Sequence, residues 1–149
     1  MKLVKRATPA AIAVLRQATA IAPLRMKASD GLLPSKSHIK QNPVSDHNTG
    51  LAVDLTHDVI GGINCQDLFA RLRFDKRVKY LIFKGRIWSQ EKGERPYTGS
   101  NPHNKHLHIS IKETYANDTS PWFPWLGTPK AINKVKAKVK PLPKKKVNS

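Results

Sequence analysis

Cysteine is nearly absent from this 149-residue chain: only Cys65 is present. An internal disulfide is therefore excluded, and so is a thiolate-rich zinc site. Aromatic residues are sparse at 7%. No apolar run approaches the roughly 18 residues of a membrane-spanning helix. Acidic residues are scarce too, ten against 27 Lys and Arg, for a formal charge of +17. They are missing altogether from both ends: residues 1–27 hold six Lys or Arg and residues 130–149 hold eight Lys, with no acid in either. Residues 28–129 carry thirteen basic and ten acidic residues, an excess of only +3. The middle thus reads as an ordinary domain, and the basic ends suit anionic polymers such as nucleic acid, anionic lipid or cell-wall polyanions.

The length fits one domain. The opening "MKLVKRATPAAIAVLRQATA" superficially resembles a signal peptide, but Pro9 and Arg16 interrupt it and an ordinary helix is expected. Thr8 followed by Pro9 suits a helix start, and Pro23 a stop, predicting a helix over about 9–22 with an apolar edge of Ile12, Leu15 and Thr19. Residues 29–48 form a long polar loop of the kind that often carries function. In "GLAVDLT", Leu51, Val53 and Leu55 alternate with Ala52, Asp54 and Thr56, a strand pattern. "CQDLFARLRF" suits a short helix, and "VKYLIFKGRIW" a strand or a hairpin bending near Gly85. A polar loop over 89–102 leads to "HLHISIK", where Leu107, Ile109 and Ile111 alternate with His106, His108 and Ser110. The Trp- and Pro-rich stretch 117–129 either packs back on the domain or exposes an aromatic patch, and the lysine-rich tail 130–149 is expected to be disordered.

Half of the six histidines, His103, His106 and His108, fall within "NPHNKHLHIS". Asp54, flanked by Val53 and Leu55, needs a partner, because burying a bare carboxylate is costly. His47 precedes Gly50 at the entry to the same strand, and His106 and His108 share a strand face. If the two strands lie side by side, His47, Asp54 and His108 converge. Two imidazoles and a carboxylate form a usual catalytic zinc shell with one position left for water or substrate.

These residues carry a resemblance. "SDHNTGLAVD" resembles the S-x-H-x-x-G-x-A-x-D signature of the zinc D-Ala-D-Ala carboxypeptidase and VanY-like peptidases, the Hedgehog/DD-peptidase fold, and it falls on Ser45, His47, Gly50, Ala52 and Asp54. "HLH" is similar to that family's closing H-x-H motif and ends on His108; the similarity spans about residues 25–112 and extends to small phage members of the endolysin type. The resemblance implies an α+β fold, with a small antiparallel sheet and flanking helices. It also implies one Zn2+ on His47, Asp54 and His108, and cleavage of peptidoglycan stem peptides or cross-links. Many relatives carry Glu or Asp three residues before the last zinc histidine, where this chain has Lys105, a poor base at neutral pH. His106, then His103, are the candidate catalytic residues, and the murein endopeptidase branch has histidines at similar spacings. Ser45 and Ser110 are expected to orient ligands, Asp46 and Arg25 to contact substrate, and His38 and His57 to play ordinary polar roles.

The expected organisation is a zinc peptidase domain over 1–129 and a tail over 130–149 that contacts anionic envelope polymers. The expected protein is a monomer, made in a bacterial host's cytoplasm without a signal peptide and acting at the cell wall during phage lysis. The competing expectation is a basic nucleic-acid-binding or virion structural protein with a non-catalytic metal site. The centre shows no nucleic-acid-binding motif.

Overall fold

The computed structural model describes residues 6–34, 39–40, 42 and 44–126. The tail and His38 lie outside them. Helix α1 (Pro9–Ile21) begins where expected: Pro9 occupies the first turn and the Thr8 side chain accepts a hydrogen bond from Ala11 N. Its buried face differs from the expected edge. Ala10, Ala11, Ala13, Val14 and Ala18 turn inward, while Ile12 and Leu15 pack at the margin of the core. The short alanine side chains let the helix backbone come close to the sheet. Helix α2 (Cys65–Leu72) is capped by Asn64, whose Oδ1 accepts from Gln66 N and Asp67 N, and it buries Leu68, Phe69 and Leu72.

The strands are β1 (Ala52–Thr56), β2 (Val78–Phe83), β3 (Arg86–Ser89), β4 (Gly93–Pro96) and β5 (His106–Ile111). They form one antiparallel sheet in the order β1-β5-β2-β3-β4. With two α-helices among the described residues, the architecture is α+β. "VKYLIFKGRIW" is a hairpin, turning at Lys84 and Gly85, both with positive φ, as two-residue hairpin loops require. Strand β4 lies inside the 89–102 segment expected to be a loop. It is polar and sits at the sheet edge, paired only with β3, so no apolar alternation marked it.

One face of the sheet is apolar. Val53, Leu55, Leu81, Phe83, Leu107, Ile109 and Ile111 join α1 and α2 in the core, each such side chain contributing about 1.5–3 kcal/mol by leaving water. Residues 117–126 pack back on the domain: Trp122 and Phe123 are fully buried, and Trp122 Nε1 donates to Ala10 O. Arg77 lies 3.6 Å over the Trp122 ring and donates to Asp75, Ser120 O and Pro121 O. A register shift between Val78 and Tyr80 lets Val78 pair with Ile111 in the core while Tyr80 faces the other side. No helix among the described residues is long and apolar enough to cross a membrane.

Candidate metal centre

The opposite face of the sheet carries the candidate site. Asp54 on β1 stands directly across from His108 on β5, and Thr56 across from His106, so all four share one side. His47 comes from a short 3-10 turn, Asp46–Thr49, capped by Ser45, whose Oγ accepts from His47 N. Gly50 ends that turn at φ +74°, and its carbonyl accepts from Thr8 N and Thr8 Oγ1. A β-carbon there would lie 3.0 Å from Arg6 O and 3.1 Å from Ala7 Cα. The left-handed turn thus ties the site loop to the start of α1. On the far edge of β1, Gly31 exchanges backbone hydrogen bonds with Asp54, and a β-carbon at 31 would sit 3.3 Å from Asp54 Oδ2.

One ligand atom each from His47, Asp54 and His108 lies within 4.8 Å of the others, close enough to hold a metal ion. No fourth His, Cys, Asp or Glu joins this group among the described residues. The donor chemistry fits an ion. His47 Nδ1–H donates to the Leu32 carbonyl at 2.7 Å, because a carbonyl can only accept, and this leaves Nε2 facing Asp54 Oδ1 at 3.3 Å. His108 sends Nε2 to Ser110 Oγ at 2.8 Å and Nδ1 to Asp54 Oδ1 at 3.2 Å. Each imidazole is therefore anchored by its outer nitrogen, the usual arrangement of metal-binding histidines.

The electrostatics agree. Burial by itself would raise the Asp54 carboxyl, but hydrogen bonds and charge from His108 and His47 overcome it and hold the acid far below the usual carboxylate range. His47 is lowered by burial and raised by the Asp54 hydrogen bond and charge and by the Leu32 carbonyl, with a net upward shift. In the ion-free cluster the two imidazoles and the carboxylate thus stabilise each other's charged forms, and the ionised carboxylate is a ligand a cation could use.

The other expected residues divide. His106 Nε2 comes to 3.6 Å from Asp54 Oδ2. His103 sits in the left-handed region at φ +59°, with its ring 5.0 Å from His106 and 5.6 Å from His108. Its Nδ1 is buried with no hydrogen-bond partner among the described residues. Burial, with the nearby His108 and His106, lowers its pKa to about 4. Ser110 does contact a ring, whereas Ser45 caps backbone only. Asp46 faces Lys79, 3.2 Å from both carboxylate oxygens. Arg25 does not reach the site. Its guanidinium is buried against Asp30, Thr19 Oγ1 and the Met26 carbonyl, so its hydrogen-bonding capacity is taken up inside the fold. His57 accepts from Cys65 N through Nδ1 and has a structural role. Tyr80, absent from the expected set, stacks on His108 at 5.3 Å and 14°. Burial pushes its phenol up to about 12 and keeps it neutral. No periodicity singled it out, since the register shift beside it sets its facing.

Compared with known proteins, the chain matches no protein-family model, no curated protein and no solved structure.

Proposed function

We propose that the protein is a zinc-dependent peptidase that cleaves peptidoglycan stem peptides or their cross-links, acting in phage-type host lysis. The observation that carries this reading is the pair of outward-anchored imidazoles converging with one carboxylate, beside two further histidines. A zinc ion bound there supplies Lewis-acid polarisation of the scissile carbonyl and activates a water. His47 and His108 hold their donor atoms in place through Leu32 and Ser110. Asp54 supplies the negative charge, and His106 Nε2 stands 3.6 Å from its second oxygen. His103 is the base in this reading: its Nδ1 is buried with no hydrogen-bond partner among the described residues, and its strained backbone holds the ring beside His106 and His108. We therefore place His103 ahead of His106 as the base. Lys105 is exposed, with its carbonyl accepting from His57 N.

We read the basic ends as adhering to anionic envelope polymers; their charge would serve nucleic acid equally, but residues 28–129 show no nucleic-acid-binding motif. The test uses the full chain with purified sacculi and defined muropeptides. Wild type should hold about one zinc and release peptide fragments readable by mass spectrometry, and His108→Ala should lose both. His103→Gln should keep the zinc and lose about 100-fold or more in cleavage. Wild type that holds zinc yet leaves sacculi and muropeptides intact refutes the peptidase reading.

A further inference from the structure

The sheet register places more than the metal group on this face. Opposed residues in antiparallel pairs share a side, so Asp54, His108, Ile82, Ile87 and Arg95 form one row across all five strands. The adjacent row is Ala52, Ser110, Tyr80, Ser89 and Gly93. Arg95 therefore stands on the cluster's side, three strands from His108, or about 14 Å at roughly 4.8 Å per strand. Its guanidinium turns toward the Tyr80 row, donating to Ser89 Oγ at 3.2 Å and Gly93 O at 3.1 Å.

Beside Tyr80 lies a cleft of about 510 Å³ whose charged lining is Lys79, Lys92, Arg95, Lys112 and Glu91. Tyr80 is the wall it shares with the metal group, since the same ring stacks on His108. Asp46 balances Lys79. Lys112 donates to the neutral Gln90 side chain, and the contacts of Arg95 are to neutral oxygens, so among the described residues neither pairs with an acid. Four cations thus face two acids next to the metal group.

We infer that this cleft is a carboxylate-binding subsite, taking an acidic side group or terminus of a peptide that extends from it over the metal group. The passage of the peptide over the metal group rests on the peptidase reading, whereas the preference for charge is measurable without catalysis. An extended peptide advances about 3.3 Å per residue, so roughly four residues bridge His108 to Arg95. A polynucleotide would call for a row of stacking aromatics. The lining offers one, Tyr80, already packed on His108.

Calorimetric titration of the full-length, zinc-loaded protein decides the matter, with a short peptide bearing free side-group carboxylates and its amidated twin. At low salt the acidic peptide should bind about tenfold more tightly, and Lys92→Gln with Arg95→Gln should cut that preference to about twofold. Equal binding of the two peptides overturns the subsite; if both are nonetheless cut, the peptidase reading survives. Charge-dependent binding that never leads to cleavage supports the subsite and removes the peptidase reading. Should the double variant fail to fold, Lys92→Gln alone, on an exposed turn, should reduce the preference about threefold, and an unchanged preference overturns the subsite. Single-stranded DNA that competes as strongly and weakens in the same variants replaces the carboxylate assignment with a polyanion track.

Discussion

Replacing Ser110 by alanine isolates the grip on His108 from the metal donors themselves. The Ser110 side chain is fully buried, and its Oγ lies 2.8 Å from His108 Nε2. When Nδ1 of His108 holds an ion it must keep its lone pair, so the ring proton sits on Nε2 and donates to Ser110. Alanine strands that N–H in a buried place, which costs about 1–3 kcal/mol. Without an ion the ring escapes much of this cost, because the proton can move to Nδ1 and donate to Asp54 at 3.2 Å. The penalty therefore falls mainly on the ion-bound state. Zinc affinity should drop about 10- to 100-fold, equivalent to roughly 1.4–2.7 kcal/mol, while metal-free thermal stability changes little. Competition against a chromophoric chelator at neutral pH measures it. Ser45→Ala, which removes a cap on the His47 backbone and not a ring contact, should weaken zinc less. Affinity in Ser110→Ala within about twofold of wild type would refute Nδ1 of His108 as a donor.

Three further outcomes are expected. Arg77→Ala removes a buried cation from Asp75, Ser120 O, Pro121 O and the Trp122 face, and should cost about 3 kcal/mol in urea denaturation; a loss below about 1 kcal/mol would show that the 117–126 segment is held without it. Gly50→Ala forces an unfavourable φ and a 3.0 Å contact with Arg6 O, and should lower stability by about 1–3 kcal/mol, visible as a lower Tm. Asp30 is raised by burial but lowered more by hydrogen bonds from Arg25 and Thr56 and by the Arg25 charge, a net depression. A depressed acid contributes its full stability above the unfolded pKa of about 3.9 and loses it as pH falls through the folded value. Asp30→Asn should therefore flatten the fall in stability below about pH 4, and denaturation curves with equal acid slopes in both proteins would contradict this.

What the sequence made legible was alternation. In "GLAVDLT" and "HLHISIK" every second residue is apolar, so the strands, their facing and the side on which Asp54 and His108 stand follow from period two alone. The start of α1 followed from Thr8 and Pro9, whereas its inward face did not, because alanines that pack closely look neutral in a pattern of large apolar residues. Strand β4 carries no apolar rhythm, and the facing of Tyr80 depends on a one-residue register shift that no local pattern announces. Arg25 shows the limit at the site. Position in the chain placed it near the chemistry, and only the three-dimensional partners Asp30 and Thr19 reveal its inward role.

β1 is the outer strand of the sheet, paired fully to β5 and touched on its other side, among the described residues, by a single bridge to Gly31. Asp54 and His108 sit opposite each other on that one seam, 54 positions apart in the chain. An ion gripping both acts as a clasp on the seam, and mass action adds to the stability of the closed form as free metal rises above its dissociation constant. Chelation of a bound ion should accordingly be felt first as fraying at this edge, with faster amide exchange and earlier proteolytic nicking around residues 52–56, so that in the proposed zinc protein metal supply would set the lifetime of the molecule as well as its chemistry.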